Sequence, residues 1–262
     1  MSCSFCHGHS RSPKMMSTDE FSIVLDKLQG VTKYIYYHLM GEPLVHPELP
    51  SFLKMASRKG FNSIITTNGT LLGKRADELL SSPLHKISIS VHSFEKGSED
   101  DYYRYLSEIS LFAKKASENG IITVLRLWNV GYDEGRNDAT LEFFRSFFGE
   151  NWSENMKGFK IDDKLFLEYG DRFMWPDESA ELYGDSVYCY GMRQHFGVLC
   201  DGSVVPCCLD SDGVMTLGNI FTDDLEAMLG SQRVVNMVKG FENRKATEEL
   251  CRRCGYAQKF SL

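Results

Sequence analysis

The sequence contains no run of about 18 or more apolar residues, so no segment reads as a membrane-spanning helix and no membrane partner is expected. Its N-terminus lacks the apolar stretch of a secretory signal, and no internal repeat or low-complexity tract is visible. Positive charge is in deficit: 29 Lys and Arg stand against 36 Asp and Glu, a net of -7. Covering a phosphate backbone takes a basic stripe, so no nucleic-acid partner is expected either. With no sign of export, the expected compartment is the reducing cytoplasm. There, eight cysteines point to metal binding more than to a disulfide framework.

What is present is ample material for a core. Of 262 residues, 42% are apolar and 12% aromatic. Helix-like and strand-like segments alternate. Ser17-x-x-Glu20 reads as a capping box opening a helix with Phe21, Val24, Leu25 and Leu28 on one face, closed by Gly30. Strands are expected at Tyr34–Leu39, Ser63–Thr66, Lys86–Val91, Ile122–Leu127 and Lys164–Glu168, with helices between them. Repeated βα units predict a parallel sheet, open or closed into a barrel. A βα array should begin on a strand, whereas this one begins on a loop and helix. Residues 169–188 read as a linker. Beyond it, His195–Val205 predicts a hairpin turning at Asp201-Gly202, and a helix is expected near Asp223–Leu229.

The chemistry is concentrated at the two ends. Near the start, Cys3-Ser4-Phe5-Cys6-His7 taken alone is open to a c-type haem attachment site or a zinc site with His9. The haem reading also needs export and a small helical domain. Near the other end, Cys189 and Cys207 have seventeen residues between them, Gly202-x4-Cys207 lies inside that interval, and Cys251-x2-Cys254 closes the set. Spacing alone leaves iron–sulfur and zinc both open. Cys200 is expected to pack in the hairpin as a small apolar residue, and Cys208 is left over.

Cys3-Ser4-Phe5-Cys6 resembles the second half of the C-x3-C-x2-C motif of radical S-adenosylmethionine enzymes, with its aromatic before the last cysteine. Met40-Gly41-Glu42-Pro43 follows the first strand as that family's Gly-Gly-Glu-type motif does, and Thr66-Thr67-Asn68-Gly69 matches its Thr-Asn-Gly. The C-terminal cysteines resemble the SPASM/Twitch auxiliary-cluster extension, in the shorter form with one auxiliary cluster.

The resemblance implies an α/β fold: a partial (β/α)6 barrel over residues 1–168 lacking its first strand, and a small iron–sulfur domain over 189–262 built on a hairpin and helix. It implies a [4Fe–4S] cluster on Cys3 and Cys6, with the family's first motif cysteine two residues before Met1, so a truncated N-terminus is expected. It implies an auxiliary [4Fe–4S] cluster on Cys189, Cys207, Cys251 and Cys254. S-adenosylmethionine would lie against Phe5, Gly41, Glu42, Pro43, Asn68, Ser88, Ser90 and Arg126, with Glu42 suited to the methionyl ammonium.

The activity implied is reductive cleavage of S-adenosylmethionine to a 5′-deoxyadenosyl radical, which abstracts hydrogen from a carbinol-bearing, sugar-like small molecule or from a peptide. A low-potential donor of flavodoxin or ferredoxin type would supply the electron. No catalytic residue is assigned. The alternative is a non-catalytic remnant, or a zinc protein using the same cysteines.

Overall fold

Local signals set most element boundaries in the computed structural model, which describes residues 3–260. Helix α1 (Thr18–Leu28) opens on the expected reciprocal cap: the Ser17 N–H donates to Glu20 at 2.8 Å and the Glu20 N–H donates to Ser17 Oγ at 3.2 Å. Strand β1 (Tyr34–Tyr36) is shorter than expected, and a 3-10 turn over Pro43–Val45 follows it. Then come α2 (Leu49–Arg58), β2 (Asn62–Thr67), α3 (Leu72–Leu80), β3 (Lys86–Ser90), α4 (Glu99–Glu118), β4 (Ile122–Val130) and α5 (Arg136–Phe148). Gly60, with φ of +86°, takes the left-handed conformation that ends α2.

The sheet runs β1-β2-β3-β4-β7-β6-β5, with β5 (Ser153–Asn155), β6 (Gly158–Asp162) and β7 (Leu165–Asp171). Strands β1 to β4 and β7 are parallel, as the βα series predicts. The antiparallel hairpin β5–β6 was not anticipated and adds an edge beyond β7. The sheet is mixed, mostly parallel and open.

Its two faces differ in kind, because side chains alternate across a strand. One face carries Ile65, Ile87, Ile89, Leu125, Leu127, Leu165 and Leu167, packed with Leu53 of α2, Leu79 of α3, Leu106, Ile109 and Phe112 of α4, and Phe144 of α5. Fully burying each such side chain contributes about 1.5–3 kcal/mol, which makes this layer the main source of stability here. The strand registers place Thr66, Ser88, Ser90, Arg126 and Glu168 on the opposite face.

Two compact units divide the chain. The first takes residues up to Cys6, Gln29–His38 and Glu42–Arg172, and the second takes His7–Leu28, Leu39–Gly41 and Phe173 onward. The second includes α1 together with β8 (Gly197–Val198), β9 (Ser203–Val205), β10 (Gly218–Asn219), α6 (Leu225–Leu229), α7 (Gln232–Glu242) and α8 (Glu249–Arg252). The hairpin turns at Asp201-Gly202 as expected. Gly202 has φ of +88°, and an added Cβ would lie 2.4 Å from the Phe221 ring. The helix at Leu225–Leu229 is as expected, and α7 is additional. Among the described residues no helix is long and apolar enough to cross a membrane.

Candidate functional site

The Cys3–Cys6 loop closes on itself through the Cys6 N–H donating to Cys3 O at 3.2 Å. The segment after β3 holds it. Cys3 Sγ donates to Ser93 O at 3.5 Å, and Glu95 accepts from the Ser4 N–H at 2.6 Å and from Ser4 Oγ at 2.8 Å. Phe5 lies with its ring 5.1 Å from that of His92 and 5.1 Å under the Arg172 guanidinium. Cys3 is half-buried and Cys6 exposed. Burial, then the neighbouring Glu95 carboxylate, pushes the Cys3 thiol up to about 11.

The loops after β1 and β2 interlock. Glu42 accepts from the Leu44 N–H (3.0 Å), from Thr67 Oγ1 (2.7 Å) and from the Asn68 N–H (2.8 Å). Both carboxylate oxygens therefore already have donors, and Glu42 acts as the link between the two loops. Asn68 Oδ1 accepts from the Thr70 N–H and Oγ1, and Tyr105 of α4 donates to Asn68 O at 2.7 Å. Gly41 is at φ of +106° with open space where a Cβ would stand, which leaves its backbone approachable. Pro43 starts the short 3-10 turn that Glu42 caps.

On the polar face of the sheet, Ser88 is fully buried and its Oγ has no hydrogen-bond partner among the described residues. Ser90 O accepts from Ser93 Oγ at 2.6 Å, and the Arg126 guanidinium lies 4.5 Å from the Trp128 ring. His38 joins this row through Thr66 Oγ1 at 3.3 Å, and its Nδ1 is buried without a partner among the described residues. Burial, then Arg126, pushes His38 down to about 4, and burial likewise takes His92 to about 4. Both imidazoles are neutral at neutral pH. Sequence reasoning also passed over Glu95, Arg172 and Tyr105. For the two histidines a signal existed, since each closely follows a strand at the end where barrel enzymes build sites.

In the second unit, Cys189, Cys207, Cys251 and Cys254 are neighbours with their thiols free. The Gly191 N–H donates to Cys189 Sγ at 3.3 Å, and a Cβ on Gly191 would stand 3.6 Å from that sulfur and 3.8 Å from Cys207 Cβ. Cys189, Cys251 and Cys254 pack against Val187, Met237, Phe241, Ala246 and Ala257. Burial raises all four thiols, and each of Cys207, Cys251 and Cys254 is raised further by Cys189 or another of the set. Among the described residues no three His, Cys, Asp or Glu side chains are closed to single-ion geometry, so the quartet is spaced more loosely than that.

Cys200 is exposed rather than enclosed, because it sits one residue before the tip of the turn; Cys208 is exposed too. His7 pairs with Asp177 at 3.5 Å and stacks on Trp175, while Ser10 and Arg11 bond Asp212.

Four half-buried thiols, three of them packed against an apolar cluster, fit the donor set of a thiolate-ligated iron–sulfur cluster. The N-terminal loop offers two thiols, one fewer than the three-cysteine motif it resembles, so the chain's own residues fit only part of that ligand set.

Comparison with known proteins agrees with this layout. Residues 1–143 match the family model described as the radical SAM superfamily, and residues 189–255 match an iron–sulfur cluster-binding domain, SPASM. A probable GTP 3′,8-cyclase of Methanococcus vannielii is 35% identical over 97 residues, covering 35% of this chain and 32% of that protein. An AdoMet-dependent heme synthase of Methanosarcina barkeri is 26% identical over 106 residues, covering 39% and 30%. The matched stretch thus spans about a third of these curated relatives.

Among solved structures, BtrN in complex with AdoMet and 2-DOIA superposes with a TM-score of 0.60 at 17% identity, over 97% of this chain and 87% of that one. The enzyme anSMEcpe with bound AdoMet gives 0.58 at 15%, over 97% and 82%. These likenesses show a shared fold. The family implies a [4Fe–4S] cluster, S-adenosylmethionine and auxiliary iron–sulfur chemistry in the SPASM region. The chain belongs to the radical S-adenosylmethionine superfamily and carries a SPASM domain.

Proposed function

We propose that the chain performs radical-based oxidation of a small, hydroxyl-bearing polar molecule, with the C-terminal quartet holding an auxiliary [4Fe–4S] cluster. The observation that carries this reading is the neighbourhood of Cys189, Cys207, Cys251 and Cys254, each of the last three raised by another of the set, with Cys189, Cys251 and Cys254 packed on an apolar cluster. When bound, the first cluster and S-adenosylmethionine supply the hydrogen-abstracting radical, and the auxiliary cluster supplies an acceptor for the electron left on substrate.

This chain's own residues do the rest. In this proposal Phe5, Asn68, Ser88, Ser90 and Arg126 of the first unit are the groups that receive S-adenosylmethionine, and the open backbone of Gly41 is a further candidate contact. Glu42 and Pro43 act through the shape of the loop. His38, Thr66 and Ser88 present hydrogen-bonding atoms on the same sheet face, and the neutral His38 imidazole can accept a proton from a substrate hydroxyl.

A small polar substrate is favoured by the row of hydrogen-bonding atoms that His38, Thr66 and Ser88 present on one sheet face. A peptide substrate is the second reading. A flavodoxin- or ferredoxin-type donor and a reducing cytoplasmic setting complete the proposal.

The test is anaerobic reconstitution with iron and sulfide. In a C3A/C6A variant about four irons and four sulfides should remain per chain, with the paramagnetic signal of a reduced [4Fe–4S] cluster. Stoichiometric zinc without iron would overturn the reading. Iron without any cleavage of S-adenosylmethionine by the parent chain would favour the non-catalytic alternative.

A further inference from the structure

The loop that follows Cys207 makes a contact that the scheme above does not use. Asp210 is 1% exposed, and its carboxylate accepts the N–H of Val214 at 2.8 Å and of Met215 at 2.9 Å. The turn so formed brings Met215, itself 4% exposed, against one of the proposed ligands: Cys251 Sγ lies 3.8 Å from Met215 Sδ.

Arg233 braces both sides of that contact. Its Nη1 donates to Thr216 O at 3.0 Å, next in sequence to Met215. Its Nε and Nη2 donate to the two oxygens of Glu248 at 2.9 and 2.8 Å, and Glu248 is the cap residue of α8, the helix that carries Cys251. One guanidinium therefore spans the loop and the helix whose sulfurs meet.

Cys189 has the opposite environment, since the Gly191 N–H donates to its sulfur. The distinction matters for a cluster. Hydrogen bonds to the sulfurs and access of solvent stabilise the more negative, reduced state and move the potential upward. A thioether has no proton to donate and excludes water.

We propose that Met215 sets the reduction potential of the auxiliary cluster by covering the Cys251 sulfur with a group that donates no hydrogen bond, and that Arg233 is the positioning residue that keeps it there. The proposal rests on the iron–sulfur reading of the quartet.

The experiment is a potentiometric titration of the full chain carrying C3A and C6A, so that only the quartet holds iron, read by paramagnetic resonance and by iron count. M215Q, which places an amide donor beside the sulfur, should shift the midpoint to more positive potential with iron content unchanged. M215L, which preserves an apolar cover without a donor, should stay at the parent value. R233K, which loosens the brace and leaves the wall intact, should shift in the same direction as M215Q by a smaller amount, and it decides the matter if M215Q fails to fold. Equal shifts in M215Q and M215L, or no shift in M215Q and R233K, would overturn the inference while leaving the cluster reading intact. A parent chain that takes up zinc and no iron would overturn both.

Discussion

The two thiol sites of this chain are built on opposite plans. The N-terminal pair lies on a loop, one thiol half-buried and one exposed, held by polar contacts to Ser93 and Glu95. In the C-terminal quartet, also half-buried, Cys189, Cys251 and Cys254 are set against Val187, Met237 and Phe241, each at most 1% exposed. A site that must admit a cofactor and exchange it needs an open face. A site that only passes electrons is better sealed, since burial keeps its thiolates from water and from exchange. The contrast lies in the surroundings of the thiols: polar loop contacts at the N-terminal pair and an apolar cluster beside Cys189, Cys251 and Cys254.

The largest effect expected from breaking this contrast is on metal content. C207A removes a proposed ligand of the C-terminal site and should abolish most of its iron, while C6A leaves that iron in place; iron and sulfide counts on the two variants check this. Next, F144A empties a fully buried position under the sheet and should cost about 3–5 kcal/mol in chemical denaturation.

E42Q keeps the size of the side chain but turns an amide toward donors that now meet a carboxylate. A loss of about 1–3 kcal/mol and weaker S-adenosylmethionine binding by calorimetry are expected, and unchanged stability would show that the link between the two loops is dispensable.

The smallest effect is on pH dependence. Burial raises the Cys3 thiol from 9.0 to about 11 and raises the quartet as well. The folded metal-free chain therefore holds these protons more tightly than the unfolded chain. Its stability should be fully present below about pH 9 and decline as pH rises through the folded values, whereas metal loading should flatten that decline. Thermal unfolding of metal-free and loaded chain between pH 7 and 10.5 measures the difference.

Much of this arrangement was legible because the βα segments are long and strongly periodic. The Ser17–Glu20 box, the Asp201-Gly202 turn and the five parallel strands rest on local signals that packing does not oppose. The β5–β6 hairpin was missed although Phe159 and Ile161 alternate in it, since each strand is short and has polar neighbours. Helix α7 was missed despite Val234, Met237 and Phe241 on one face and Ser231 as its cap.

The site divided similarly. The family resemblance drew attention to the motif cysteines, but the cradle of His92, Glu95 and Arg172 around Phe5 depends on strand ends distant in sequence. The engagement of Glu42 by Thr67 and Asn68 is likewise tertiary, and no residue pattern distinguishes a carboxylate that meets a ligand from one that ties two loops together.

The interleaving of the two units also constrains how the chain can reach its native state. Helix α1, with Phe21, Val24, Leu25 and Leu28 on its apolar face, belongs to a unit whose remaining mass lies beyond Phe173. During synthesis that face must wait for about 145 further residues before its partners leave the ribosome, a separation that slows closure and prolongs exposure of apolar surface. A fragment starting at Phe173 would lack the helix altogether, so the C-terminal unit is not a cassette that can be excised or transplanted as one uninterrupted stretch.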